Sequence, residues 1–210
     1  IDLTLHPVMV HSSQLNLGIV RTGGACPFGH WKGTIRFDGN TVEIGIRAED
    51  RALSYLPLAH VTERTVIAGP AIYTGGHLFF VDSLDTFITD LQRAKPTLFI
   101  SVPRLWVQFQ KGVHAKVPPQ KLDKLLKLPI VGRLVARKVR RGLGLDSCRL
   151  IGSGSAPISP LTLRWYEKIG VHISEGWGMS ETTSLGIANP LFGMKKAGSI
   201  GIPFPDTDVR

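Results

Sequence analysis

Residues 147–184 read "SCRLIGSGSAPISPLTLRWYEKIGVHISEGWGMSETTS". The apolar run into "LIGSGS" predicts a strand that breaks into a glycine turn. A helix follows, with Ser159 suited to the N-cap, Pro160 to the first helical position and Gly170 to the stop. "VHIS" predicts the next strand, which delivers a second glycine turn, "EGWGMSETTS" (Glu175–Ser184). Strand, turn, helix and strand in this order form the repeating unit of a parallel sheet.

The same alternation extends upstream. "ALSYLPL", "HLFFV" and "TLFISVP" predict strands. "HVTERTVIAGPAIYTGG" can hold a helix, interrupted at Pro70. In "DSLDTFITDLQRAKP", Leu84, Phe87, Ile88 and Leu91 fall on one helical face, with Asp82 or Ser83 as cap and Pro96 at the end. Trp106, Phe109 and Val113 form another stripe, which suits a plain core better than an acyl tunnel. "VGRLVARKVRRGLGL" places Val131, Leu134, Val135 and Val139 on one face, the basic residues on others and a stop at Gly142. The expected fold class is α/β, with a largely parallel sheet and flanking helices. Residues 1–47 read differently, with a loop-like "RTGGACPFGHWKG" and a hairpin "TIRFDGNTVEIGI" that turns near Asp38-Gly39-Asn40.

Composition narrows the function classes. The 210 residues are 43% hydrophobic and 20% charged, which excludes general disorder. Cys26 and Cys148 make no CxxC pair, and Cys26 with His30 is too little for a metal site. "IDLTLHPVMV" lacks the basic start and long apolar stretch of a secretory leader, so a cytoplasmic location is expected. The net charge of +9 is local. Residues 111–141 hold ten Lys/Arg and one acid, Asp123, which leaves fifteen bases and fifteen acids elsewhere. No nucleic-acid motif accompanies this patch, so no nucleic-acid partner is expected. A solvated helical surface is the plain reading, and contact with an anionic membrane is the alternative.

The two glycine turns sit where ligands collect in such sheets, beyond the carboxyl ends of strands. "GSGSAPIS" (Gly152–Ser159) can bring backbone NH and CO groups up to a flat base, or it can be a strand-to-helix turn and nothing more. In "EGWGMSETT", Ser180 and Thr182 can bond phosphate oxygens, Glu181 offers a hard oxygen for Mg²⁺, and Trp177 offers a flat face. The plain alternative is a strand end and a helix capped by Ser180.

Together with "GSIGIPFP" downstream, these stretches resemble the adenylate-forming (AMP-binding) superfamily. "SYLPLAHVTER" is similar to its long-chain fatty acyl-CoA synthetase branch. The resemblance covers residues 48–210 and implies part of the large N-terminal domain of such an enzyme, with 1–47 an atypical N-terminal segment. It implies that Gly154, Ser155, Ala156 and Pro157 line the adenine pocket, although many relatives carry glycine where Ser155 stands. Gly176, Trp177 and Gly178 lie on the base side, and Trp177 replaces the more common Tyr. Ser180 is implied to contact phosphate, Glu181 to bind Mg²⁺ and His60 to lie near the acyl and phosphate site. Gly198 and Gly201 match a structural turn.

The implied reaction uses ATP, Mg²⁺ and coenzyme A to convert a fatty acid to its acyl-adenylate and then to acyl-CoA. Alternatives are a carboxylic acid reductase, a peptide-synthetase adenylation domain, or a non-catalytic nucleotide- or acyl-binding remnant. The resemblance also implies an upstream Ser/Thr/Gly-rich phosphate loop followed by Lys, and nothing in this sequence matches it. A ribose-binding Asp, a hinge and a C-terminal domain are expected beyond Arg210. An internal fragment, incomplete for turnover, is therefore the expectation.

Overall fold

The computed structural model describes residues 31–37, 40–182, 184, 186–189 and 197–203, with side chains from residue 47 onward except Tyr73. Cys26, His30, the Asp38-Gly39 turn, Thr183 and the end of "GSIGIPFP" lie outside the described residues.

Strands β1 (Trp31–Phe37) and β2 (Asn40–Ile46) pair antiparallel from Phe37↔Asn40 to Trp31↔Ile46, the hairpin expected of this stretch. The main sheet comprises β3 (Arg51–Ser54), β4 (His77–Phe80), β5 (Leu98–Ser101), β6 (Leu150–Ser153), β7 (Ser174–Trp177), β8 (Ile187–Ala188) and β9 (Ile202–Pro203). Its order is β4-β3-β5-β6-β7-β8-β9. The first five strands are mutually parallel, and β8 and β9 are added antiparallel. The α/β class with a largely parallel sheet is therefore observed.

The connections are helical: α1 (Gly69–Thr74), α2 (Phe87–Ala94), α3 (Pro103–Lys116), α4 (Pro119–Leu126), α5 (Pro129–Gly142) and α6 (Pro160–Lys168). A π-helical turn, Glu63–Ala68, runs directly into α1, so the helix passes through Pro70. Widened turns tolerate such insertions and occur often at functional sites. Ser159 caps α6, its Oγ accepting from the Leu161 N–H at 3.3 Å.

An aromatic core fills one side of the sheet. Trp106 and Tyr166 are fully buried, their rings 5.2 Å apart edge to face, and the Tyr166 hydroxyl donates to the Trp106 carbonyl at 2.7 Å. Phe99 and Phe109 join them, so this stripe is core.

Five local expectations are corrected. The strand expected of "VHIS" begins only at its last residue, Ser174, opposite Gly152, because the Val171 N–H bonds the Tyr166 carbonyl and so closes α6. "ALSYLPL" is a strand only to Ser54, and "HLFFV", whose unbroken apolar run predicts a buried strand, forms the edge strand β4 with Phe80 largely exposed. Helix α2 starts at Phe87 and buries Phe87, Asp90, Leu91 and Ala94, while Leu84 lies outside it, exposed. Helix α5 buries Gly132 and Ala136, and packs Val135 and Val139 on the core, whereas Val131 and Leu134 face outward.

Candidate active site

Strand order locates the site. The chain leaves β3 toward β4 on one side and leaves β5 toward β6 on the other. Their carboxyl ends therefore flank a topological switch point, where open α/β sheets bind ligands. "LPLAH" follows β3 directly, "GSAP" follows β6, and "GMSETTS" follows β7. All three stretches thus leave the same end of the sheet.

Polar groups crowd that end. The Tyr55 hydroxyl, just past β3, donates to Ser101 Oγ at the end of β5 at 2.9 Å. Burial raises the Tyr55 pKa; the Ser101 bond opposes this, and the Glu63 charge adds to the rise. Ser153 and Glu175 pair in register on β6 and β7, and both are buried. Ser153 Oγ has no hydrogen-bond partner among the described residues. Burial also raises the Glu175 carboxyl, against the opposing N–H of Gly198 at 3.3 Å.

The first glycine turn is open at its tip. Ser155, Ala156 and Pro157 are exposed, and buried Ile158 anchors the return. Gly154 packs against the next turn, where a Cβ would lie 3.2 Å from the Gly176 carbonyl oxygen. Ser155 adopts φ +68°, the left-handed region that disfavours a side chain. That explains why glycine suits this position in similar sequences.

In the second turn, Gly176 and Trp177 end β7 rather than following it. The Trp177 indole covers Gly186, whose added Cβ would meet the ring at 2.9 Å, yet the residue remains 41% exposed. Part of the indole therefore lies against Gly186, and part is left open at the surface. Ser180 and Glu181 are exposed in a single 3₁₀ turn, Ser180–Thr182, and not in a capped helix. Thr182 Oγ1 fixes that turn by accepting from the Met179 N–H at 3.0 Å.

His60 lies in the turn after β3, where its Nδ1 accepts from the Thr62 N–H at 3.2 Å. That bond assigns the remaining proton of the neutral ring to Nε2. The next residues touch the second turn: Thr62 Oγ1 and Ser184 Oγ are hydrogen-bonded at 2.6 Å across 122 positions of sequence. Ser184 holds φ +70°. The structure thus joins the "LAHVT" stretch to "GMSETTS", and "GSGSAP" to "EGWG".

Sequence reasoning missed Glu63. Its side chain is fully buried, Oε2 accepts from the Leu56 N–H at 3.2 Å, and Oε1 has no partner among the described residues. The signal was available, since Glu63, Ile67 and Ala71 recur every four residues, and all three are buried. Among the described residues no group of three or more His, Cys, Asp or Glu could hold a metal. Mg²⁺ commonly takes few protein ligands and keeps several waters, so a lone exposed carboxylate such as Glu181 is compatible with it.

Residues 30–210 match the AMP-binding enzyme family. The chain belongs to that family. Among AMP-binding relatives, long chain acyl-CoA synthetase 3 of Arabidopsis thaliana is 30% identical over 81% of this chain and 29% of its own length. The peroxisomal long chain acyl-CoA synthetase 6 of the same plant is 31% identical over 82% of this chain and 27% of its own. The chain thus spans under a third of the length of these relatives. A solved structure, the A domain of carboxylic acid reductase from Segniliparus rugosus in complex with AMP and a co-purified carboxylic acid, is 28% identical. It superposes with a TM-score of 0.52 over 62% of this chain and 21% of that one.

Proposed function

We propose that residues 48–210 supply the base-binding and part of the phosphate-binding half of an adenylate-forming site, in an enzyme that activates a long-chain fatty acid. The observation that carries this reading is the convergence of the two glycine turns and the "LPLAH" turn at one end of the sheet, tied by the Thr62–Ser184 bond. Kinship with long chain acyl-CoA synthetases favours a fatty acid over other acids. The carboxylic acid reductase neighbour keeps a second acceptor class open, in which the adenylate goes to a different acceptor.

In the proposed first step a carboxylate oxygen attacks the α-phosphorus of ATP, and pyrophosphate leaves. In the second, the thiolate sulfur of coenzyme A attacks the acyl carbon, and AMP leaves. The first step demands positioning and charge neutralisation more than covalent help. The backbone of Gly154–Pro157 and the open part of Trp177 would hold the adenine, with Gly176 and Gly178 allowing close approach. The Ser180 hydroxyl would donate to a phosphate oxygen. His60 Nε2–H points to the same role at the acyl and phosphate side. Glu181 would hold Mg²⁺, which when bound supplies neutralisation of phosphate charge.

The test is binding of a non-hydrolysable acyl-adenylate analogue in a series of chain lengths, measured by calorimetry on this chain. Binding that tightens from short to long acyl chains supports the reading. Binding indifferent to the acyl chain contradicts the fatty-acid part, and no binding contradicts the site.

A further inference from the structure

Helix α5 has two opposed faces. Gly132, Val135, Ala136 and Val139 turn toward the core, while Ile130, Leu134, Arg137 and Arg141 project from the other side. Ile130 is 76% exposed and Leu134 63%, and the adjoining Leu128 and Val131 are 48% and 41% exposed. A single exposed apolar residue, such as Leu161, is ordinary for a protein surface. Four within seven residues make a patch.

Cations surround that patch. Lys124, Lys127, Arg133, Arg137 and Lys138 are exposed, and none forms an ion pair among the described residues. The rest of the chain balances fifteen bases against fifteen acids, so the excess positive charge is confined to this region and favours an anionic partner. Exposed aliphatic residues ringed by unpaired Lys and Arg on a helix are the pattern of an interfacial helix on anionic lipid. Apolar side chains enter the headgroup boundary, and long basic side chains reach back to the lipid phosphates. Among the described residues no helix is long and apolar enough to cross a membrane, so this mode lies on the surface and does not span it.

We infer that the α4–α5 hairpin docks on an anionic membrane surface, with Leu128, Ile130, Val131 and Leu134 inserted and the surrounding Lys and Arg paired with lipid phosphates. The inference is independent of the nucleotide site.

Vesicle co-sedimentation of the whole 210-residue chain tests it. Phosphatidylcholine vesicles are compared with vesicles that also contain phosphatidylglycerol. The chain should bind the second kind only, and release in high salt. Arg133→Gln/Arg137→Gln/Lys138→Gln should weaken binding at least about tenfold, and Ile130→Ser/Leu134→Ser should weaken it at unchanged charge. Circular dichroism and thermal melts of both variants should match the parent. Equal binding to both vesicles, no binding, or parent-like binding by both variants overturns the inference. Self-association that the Ile130→Ser/Leu134→Ser variant abolishes, without lipid binding, also overturns it and makes the patch a contact between copies.

Discussion

Ser155 holds a left-handed backbone that costs a side-chain-bearing residue about 1 kcal/mol relative to glycine. Ser155→Gly should therefore raise stability by about 0.5–1 kcal/mol, read from urea midpoints, although glycine usually destabilises. Glu63 gives the opposite case. Glu63→Ala removes the acceptor of the Leu56 N–H and leaves a void, so it should cost about 2–3 kcal/mol. Glu63→Gln keeps an acceptor and should cost clearly less. Cys148 is held by burial, with the Asp146 charge adding, at a pKa of about 12, and its Sγ donates to the Pro96 carbonyl at 2.9 Å. It should resist alkylation at neutral pH until the chain unfolds, as site-resolved mass spectrometry can show. At this scale the glycine turns that carry Trp177, Ser180 and Glu181 were legible as turns at strand ends. Glu63 was marked only by its four-residue spacing with Ile67 and Ala71, and a carboxylate in a helix's first turn usually faces water. The seat of Trp177 on Gly186 was hidden, since it depends on a contact across two strands.

Elements are held by polar clamps at their ends. Asp50, just before β3, meets Arg149 before β6, the Thr97 hydroxyl before β5 and the Arg47 N–H. Burial alone would raise its carboxyl pKa, but the Arg149, Thr97 and Arg47 bonds outweigh it and hold the group below the usual carboxylate range. A depressed folded pKa stabilises above the ordinary carboxylate pKa of about 4, and the effect is lost as pH falls through the folded value. Asp50→Asn should thus cost about 2 kcal/mol near neutral pH, a figure reduced because Arg149 is 40% exposed. The gap from the parent should close in acid, as urea titrations at several pH values would show. The faces of α5 show why hydrophobic periodicity alone can misassign a helix face. A Cβ on Gly132 would lie 2.5 Å from the Leu126 carbonyl oxygen, so the backbone of α4 approaches there. Close backbone approach through a small residue turns Leu134 outward, and hydrophobic periodicity alone points the other way. Gly132→Val should accordingly destabilise by more than about 2 kcal/mol in thermal melts.

At the scale of the molecule, alternation of strands and helices foretold the parallel sheet, because each βαβ unit is local in sequence. Strand order was not legible: nothing in the residues says that β4 lies outside β3 while β5 lies inside. That order creates the switch point and lets Thr62 reach Ser184. The central claim is that the two glycine turns form one adenine seat with Trp177 as its stacking face. Calorimetric titration of AMP into the chain and its Trp177→Ala variant tests this most directly. Binding should be saturable and should weaken about tenfold in the variant, the loss of one base stack. Equal affinity in both proteins, or no saturable binding to the parent, would contradict it.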